Sequence, residues 1–211
     1  MFGIRDLRKV LKHAMKEVAR TVAESELSIR GETTGSVALV KGGTVVMAHV
    51  GGYAIALRGK NKRRRKADAP RIRCKSLDHH LDAPEAQQKL EQVGSCVKDL
   101  HVVDKETRRG LLMARSIGDA TFRKLGCSSK AELVRMKIEK GDALVIASDG
   151  LCNDPCVKMR DVQEIVRRIR CSPNQLAEGL SQQTLDRGTP PYDTTIVCLT
   201  RLQLFCSRQS Y

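Results

Sequence analysis

The hydrophobic residues between positions 5 and 24 recur every three or four residues, which is the spacing of one face of an α-helix. Lys and Arg occupy much of the opposite face. We therefore predict a helix over residues 5–24 whose apolar stripe packs on a core. A helix on a membrane surface is the less favoured alternative, because the stripe has no bulky aromatic residue. The stripe consists of Leu7, Val10, Leu11, Ala14, Met15, Val18 and Val22.

Short runs rich in β-branched residues follow this helix and predict strands. Glycine pairs separate the first runs. Gly42-Gly43, directly after Lys41, is typical of a two-residue hairpin turn. The predicted strands cover residues 37–40, 44–50, 54–57, 133–138, 143–147 and 195–199.

Three more helices are predicted between or after these strands. The first begins near Pro84 and Glu85 and ends before Gly94. The others cover residues 158–170 and 173–186. The resulting order, with hairpins between most strands, predicts an α+β fold rather than a parallel doubly wound sheet.

Length and composition limit the classes of protein that are possible. The chain has 211 residues, of which 41% are hydrophobic and 29% charged, enough for one domain with a buried core. We predict a single domain over residues 1–211. No window approaches the roughly 20 apolar residues that a membrane span requires, so no membrane partner is expected.

The formal net charge is +14, and most of it lies in residues 58–75, which contain ten Lys or Arg and one Asp. This concentration predicts a basic loop inserted between strands, not a nucleic-acid-binding fold, so nucleic acid is not an expected partner. Three interpretations stay open: a solvated loop, a nuclear-import signal, or a site for phosphate-rich partners. The centre of the loop is Lys62, Arg63, Arg64, Arg65 and Lys66.

The cysteines and the first residues of the chain bear on its compartment. None of the eight cysteines forms a CxxC pair, so a zinc site is not indicated. The first residues lack the uninterrupted apolar segment that a secretory signal contains, and the acidic residues among them argue against a transit peptide. We expect an intracellular protein with reduced thiols, located in the cytoplasm, the nucleus or both.

Candidate chemistry is concentrated where an apolar strand ends in Asp149-Gly150. A carboxylate at the tip of a buried strand is held rigidly, and the adjacent glycine lets a ligand approach, which suits a hard cation. An ordinary Asp-Gly turn is the equally weighted alternative. Two other segments contain Asp119 and Asp193, and carboxylates from separate segments can converge on one Mg²⁺ or Mn²⁺. A water bound to such a metal can attack a phosphoryl group.

Seven segments together occur in the order found in the metal-dependent serine/threonine phosphatases of the protein phosphatase 2C type. The chain resembles that family over about residues 8–202, in a style nearest to its plant members. The most specific motifs are Arg-Ser-Ile-Gly-Asp at 115–119 and Ala-Ser-Asp-Gly-Leu at 147–151. The other segments lie at 34–36, 48–51, 77–85, 93–97 and 193–195.

The resemblance implies a central antiparallel β-sandwich flanked by helices, with two Mg²⁺ or Mn²⁺ ions at one end of the sandwich. A bridging water would attack the phosphorus of phosphoserine or phosphothreonine directly. Asp149, followed by Gly150, matches a family metal ligand. The best alignment places Tyr192 at a second ligand position, and a shift of one residue places Asp193 there. The resemblance further implies mainly structural roles for Arg115, Gly118, Asp119 and the pair His79-His80, the histidines through hydrogen bonds.

The chain also departs from the family pattern. The family motif Asp-Gly-His-Gly, whose carboxylate bridges the two metals, does not occur in the sequence, and the resemblance begins after the family's N-terminal strands. Gly52 stands where the family has an Asp near the metals, and Asn153 stands where the family usually has Asp after Trp. We therefore predict a catalytically inactive phosphatase-like protein that binds phosphoproteins or the partners of active relatives.

Other interpretations of these departures stay open. The protein is alternatively a weak Mg²⁺/Mn²⁺-dependent phosphatase that uses Asp149 and Asp193, an interaction scaffold that acts through the basic loop, or a truncated product of a longer gene. Without the N-terminal strands, we also expect exposed sheet edges and self-association through them.

Overall fold

The structure is a computed structural model. It describes residues 4–25, 31–51, 54–57, 72–75, 79–81, 84–138, 142–148, 151, 165, 172–185 and 195–200. The helices are α1 (Ile4–Glu24), α2 (Pro84–Gln92), α3 (Ala120–Lys124) and α4 (Pro173–Leu185). The strands are β1 (Glu32–Thr33), β2 (Gly35–Lys41), β3 (Thr44–Val50), β4 (Ala54–Leu57), β5 (Ile72–Lys75), β6 (Cys96–Lys98), β7 (His101–Val103), β8 (Gly110–Leu111), β9 (Ile117–Gly118), β10 (Glu132–Lys137), β11 (Ala143–Ala147) and β12 (Ile196–Thr200).

The chain divides into two compact units. The first comprises residues 1–39, 46–52 and 77–134, and the second comprises residues 40–45, 53–76 and 135–211. The prediction of one domain over the whole chain stays a prediction.

Helix α1 packs one side on the core of the first unit, as its periodicity predicted. Leu11, Met15 and Ala19 are buried, and they follow one another at intervals of four residues. Leu11 and Met15 belong to a cluster with residues of β3 and with Ile117. Burial of each large apolar side chain contributes about 1.5–3 kcal/mol, so this contact fixes which face of the helix meets solvent.

The hairpin predicted at the glycine pair is present between β2 and β3. Gly42 and Gly43 have φ angles of 55° and 75°, the left-handed conformation that a two-residue turn of this kind requires. Strand β3 lies between β10 and β2 in its sheet, and all seven of its residues are buried. A strand covered on both faces explains why its sequence is apolar at nearly every position rather than alternating.

In the second unit, four strands form an antiparallel sheet in the order β12-β11-β4-β5. Strand β5 corrects the prediction of a loop over 58–75, because its residues 72–75 pair with β4. The sequence Ile-Arg-Cys-Lys alternates apolar and basic residues, and basic residues suit a strand at the end of a sheet. Residues 58–71 lie outside the described part of the chain.

The core of the second unit lies between β11 and α4. Val145 on the strand and Leu176 and Leu180 on the helix are almost completely buried. The helix predicted over 173–186 is thereby confirmed with a boundary shifted by one residue. The helix predicted over 158–170 lies outside the described residues except for Ile165, which packs against this core.

A small part of the first unit was not predicted. Strands β6, β7 and β8 form an antiparallel sheet, and α3 is a helix of five residues. Their apolar side chains meet α2 in a cluster around Leu90, Val102 and Phe122. None of the helices in the described part of the chain is long and apolar enough to span a membrane.

Candidate functional site

Two histidines and a glutamate form a buried cluster in the first unit. His49 lies on β3, His79 precedes α2, and Glu132 begins β10. The two imidazole rings stack with their centroids 4.5 Å apart and their planes at 12°. Glu132 Oε2 lies 3.7 Å from His49 Nε2 and 3.5 Å from His79 Nε2. We call these three residues the His-Glu cluster.

The proton position on His79 follows from its hydrogen bond. The backbone N–H of Gly51 donates to His79 Nδ1 at 2.9 Å, so Nδ1 carries a lone pair and the proton of the neutral ring is on Nε2. Burial first, and then nearby His49, Arg115 and His80, lower the pKa of His79 from 6.5 to about 3. His79 is therefore a neutral ring at physiological pH that directs an N–H toward Glu132.

The His-Glu cluster is the one group in the described part of the chain whose His, Cys, Asp or Glu atoms approach closely enough to suggest a metal site. Three arguments speak against a Mg²⁺ or Mn²⁺ site there. His79 Nε2 carries the proton and has no lone pair to offer. The lone pairs of two nearly parallel rings do not converge on one point. Two nitrogen donors also suit Zn²⁺ better than Mg²⁺ or Mn²⁺, which prefer oxygen.

The turn after β3 depends on Gly51. Its φ is 66°, and a Cβ at this position would lie 2.6 Å from Thr34 Cγ2 and 3.1 Å from the carbonyl oxygen of Arg115. A side chain is therefore excluded both by conformation and by space. The histidine that the resemblance marks as structural holds the backbone of this turn, next to position 52 in the chain.

The motif at 115–119 serves the architecture of the first unit. The carboxylate of Asp119 caps α3, since Oδ1 accepts from the N–H groups of Thr121 and Phe122 at 2.9 and 3.2 Å. Gly118 has φ 100°, and a Cβ there would meet the carbonyl oxygen of Gly31. Arg115 donates to the carbonyl oxygen of Lys130 at 3.1 Å.

Asp119 also belongs to an ion-pair cluster. Its Oδ2 lies 2.6 Å from Arg109, whose guanidinium is also 3.3 Å from Glu32 Oε2 and lies over the ring of Phe122. The Asp119 side chain is completely buried, whereas that of Arg109 is 36% exposed. Burial, and then the charge of Asp119, raise the pKa of Glu32. Arg109 and Glu32 were not singled out from the sequence, since no local pattern links either of them to position 119.

In the second unit, the chain positions beside Asp149 and Asp193 come together. Ser148 donates its backbone N–H to the carbonyl oxygen of Thr195 at 2.9 Å, and the N–H of Thr195 donates to Ser148 Oγ at 2.9 Å. Strands β11 and β12 continue this pairing from Ala147 and Ile196. Two motifs that are more than 40 residues apart in sequence therefore meet at one end of the sheet.

Several predicted site residues lie outside the described residues. These are Gly52, Lys62, Arg63, Arg64, Arg65, Lys66, Asp149, Gly150, Asn153, Tyr192 and Asp193. Their assignments stay predictions. The described residues thus supply the frame of the predicted metal end, while its carboxylates are known from the sequence alone.

Comparison with known proteins identifies relatives of this chain. The family model for Protein phosphatase 2C matches residues 3–190. Protein phosphatase 1K, mitochondrial, from Xenopus laevis is 26% identical over 201 residues, which are 91% of this chain and 51% of that protein. The chain therefore spans about half the length of this curated relative.

Solved structures share the fold. Serine-threonine phosphatase 2C from Toxoplasma gondii superimposes with a TM-score of 0.68 at 18% identity, covering 89% of this chain and 63% of that one. The catalytic domain of the phosphatase PstP, solved with two manganese ions, has a TM-score of 0.55 at 20% identity, covering 92% and 70%. These similarities, with the mixed helices and sheets, confirm the predicted α+β class.

Proposed function

The chain belongs to the protein phosphatase 2C family, and on that premise we propose that it is a non-catalytic member that acts by binding. Its expected ligands are phosphoproteins or the partners of active relatives. The proposal depends on positions within the chain where the family has a carboxylate at its metal site and this sequence has another residue.

The observation that carries the proposal is the sequence that follows β3. The turn retains Gly51, held by His79, and then has Gly52 where the family has an Asp. A glycine has no side-chain oxygen to offer a metal. Asn153 replaces a second family Asp, which removes another negative charge. Affinity for a hard cation decreases when charged ligands are removed, so both replacements weaken metal binding.

Family membership implies two divalent metals, and the described residues do not provide for them. The His-Glu cluster does not fit Mg²⁺ or Mn²⁺, because two of its three donors are nitrogens, one of them protonated, and only Glu132 offers oxygen. The frame formed by Ser148 and Thr195 supports a role for Asp149 and Asp193 at the predicted metal end. In the weak-phosphatase alternative, these two carboxylates are the remaining ligands.

The test combines metal binding with turnover. Mn²⁺ binding is measured by calorimetry, and phosphate release from a phosphothreonine peptide is measured with and without Mn²⁺. The variants are Asp149→Ala, the double replacement Gly52→Asp with Asn153→Asp, and Glu91→Ala as an exposed acidic control far from the motif in sequence. Circular dichroism confirms that each protein is folded.

We expect the natural chain and Glu91→Ala to show neither Mn²⁺ binding at micromolar concentrations nor metal-dependent turnover. The double replacement should raise Mn²⁺ affinity, since it adds two carboxylates. Metal-dependent turnover in the natural chain that Asp149→Ala abolishes would overturn the proposal and establish the weak phosphatase instead. Loss of a residue that binds the metal directly typically lowers the rate of an active enzyme by several orders of magnitude. An active chain and an inactive one are therefore easily distinguished.

The basic loop offers a second route to binding that does not depend on the metal end. Lys62 to Lys66 carry five positive charges in a row. Nuclear import through this segment is tested by replacing the five residues with Gln in a fluorescent fusion and measuring the nuclear fraction. The relative from Xenopus laevis is named mitochondrial, whereas we propose the cytoplasm, the nucleus or both for this chain. Mitochondrial fluorescence would contradict that location.

A further inference from the structure

We propose that the solvent-facing side of α1 is a docking surface for an acidic helix of a partner protein. The surface is formed by Arg8, Lys12, Lys16 and Arg20, which we call the basic row. This inference goes beyond the proposed function, because it concerns neither the metal end nor the basic loop.

The buried face of α1 fixes the direction of the basic row. Leu11, Met15 and Ala19 are each at most 5% exposed and hold the helix in the core. Each member of the basic row directly follows a residue at 7, 11, 15 or 19, which is the apolar row that faces inward. All four basic side chains are exposed.

The spacing of the basic row is regular. Its members are four residues apart, so successive charges rise by about 6 Å along the helix and the row extends over about 18 Å. Lys9 is exposed beside it and adds a fifth positive charge. Carboxylates at i and i+4 on a second helix have the same separation. Because each step of four residues also turns the row by about 40°, an acidic helix that crosses α1 can oppose two or three neighbouring basic residues with one carboxylate each.

Most of this charge is uncompensated. Arg20 pairs with Glu17 at 3.0 Å and with Glu24 at 2.6 Å. In the part of the chain that the structure describes, Arg8, Lys9, Lys12 and Lys16 form no ion pair. Like charges four residues apart destabilise a helix, so the basic row opposes the stability of α1 unless a partner neutralises it.

The geometry favours a protein over a membrane. Among the α1 residues whose burial is described, the exposed apolar ones are Val10 and Val18, with Ala14 between them. Ala14 lies about 200° around the helix from Lys12, so a flat surface cannot contact the apolar residues and the basic row together. The other apolar residues from Leu7 to Val22 are buried or partly buried against the core. An anionic bilayer would thus gain no apolar insertion, which membrane-surface helices require.

The composition of α1 favours a protein over single-stranded nucleic acid. The helix contains no Phe, Tyr or Trp to stack on a base. Its Arg and Lys side chains can contact both the phosphates and the guanine edges of a duplex. Duplex DNA is therefore a competing ligand in the test.

The test measures binding of a fluorescent helical peptide with Glu at every fourth position, by anisotropy at low salt. A second peptide has the same composition with the Glu positions scrambled. The protein is the full chain with Lys62 to Lys66 replaced by Gln, so that this segment does not mask the effect. The row variant carries Lys12→Glu and Lys16→Glu. The control variant carries Lys105→Glu and Lys130→Glu, which make the same charge change at exposed positions elsewhere.

We expect the row variant to bind the patterned peptide about tenfold more weakly than its parent and the control variant to differ by less than about twofold. Binding should weaken as salt rises.

Misfolding does not explain a loss of peptide binding, because the row variant converts two repulsive pairs on the helix, 8/12 and 16/20, into attractive ones. Equal loss in the control variant, or equal affinity for the scrambled peptide, would overturn the proposal. Tighter row-dependent binding to duplex DNA or to phosphatidylserine vesicles than to the peptide would also overturn it.

Discussion

His79 accepts a hydrogen bond from the backbone N–H of Gly51, which lies 28 residues earlier in the chain. Both groups are buried, so the N–H has no access to water as a substitute. This single bond ties the segment before α2 to the turn that follows the buried strand β3.

Replacing His79 with Ala should therefore lower the free energy of unfolding by about 3 kcal/mol. The change leaves the N–H of Gly51 unsatisfied and creates a cavity beside His49, and each effect costs about 1–3 kcal/mol. Urea denaturation at pH 7 measures the loss. His13→Ala, at an exposed position on α1, is the control and should change stability by less than about 0.5 kcal/mol. A loss in His79→Ala no larger than in this control would show that the bond contributes little.

The depressed pKa of His79 predicts how stability depends on pH. In the unfolded chain the ring takes up a proton below its ordinary pKa of 6.5, whereas in the folded chain it does so only near 3. The unfolded state thus binds more protons throughout this window, and stability falls as the pH is lowered from about 6.5 to 3. The slope approaches about 1.4 kcal/mol per pH unit below the unfolded pKa.

The measurement compares the natural chain with His79→Ala in urea at several pH values between 7 and 5. The titration of groups that do not contact residue 79 cancels in this comparison, so the difference in slope reports the loss of His79. We expect the natural chain to lose stability more steeply than the variant. Parallel curves would show that the pKa of His79 is the same in the folded and the unfolded chain, and would contradict the prediction.

Gly51→Ala should destabilise the protein by about 3 kcal/mol, because the new Cβ meets Thr34 and φ is 66°. Gly42 provides a matched control. Its φ of 55° imposes the same left-handed strain, but no atom lies within 4 Å of its missing Cβ. Gly42→Ala should therefore cost only about 1 kcal/mol. Adding Thr34→Gly to Gly51→Ala should recover part of the loss in thermal unfolding, and equal losses at the two glycines would refute the steric explanation.

Two replacements of Asp119 separate its cap from its ion pair. Asp119→Asn retains the oxygen that caps α3 and tolerates the φ of 34°, but it removes the charge opposite Arg109. We expect a loss of about 2 kcal/mol, discounted because Arg109 is partly exposed. Asp119→Ala also loses the cap and should cost about 1–2 kcal/mol more. Chemical denaturation at pH 7 distinguishes this order from equal losses, which would mean that the cap contributes nothing.

The sequence predicted α1 and the hairpin at Gly42-Gly43 because their signals are local: a period of 3.6 residues and a glycine pair. The sheet of β6 and β7 was missed because its turn breaks the usual rules. That turn consists of Asp99 and Leu100 with φ angles of 49° and 62°, and leucine rarely adopts this conformation. No propensity argument would place a hairpin there.

At the candidate site, too, the contacts between residues that are distant in the chain could not be predicted from local sequence patterns. Two arguments brought the segments of Ser148 and Thr195 together in the sequence analysis: the possible convergence of their carboxylates on one metal, and the order of family motifs. No local pattern joins residues 47 positions apart. The His-Glu cluster was not foreseen as a cluster. Its members come from β3, the segment before α2 and the start of β10, and each alone resembles an ordinary core or surface residue.

The basic row on α1 predicts that removing a positive charge stabilises the protein. Lys12 lies four residues from both Arg8 and Lys16, so it takes part in two repulsive pairs. Lys12→Glu converts both pairs to attractive ones, and each pair of either sign is worth about 0.2–0.5 kcal/mol. The free energy of unfolding should therefore rise by about 1 kcal/mol at low salt.

Lys12→Gln removes only the repulsion and should give about half of that gain in the free energy of unfolding. Both gains should shrink in high salt, because the charges are exposed and screened. A loss of stability in Lys12→Glu, measured by thermal unfolding at both salt concentrations, would mean that the basic row is already neutralised within the chain.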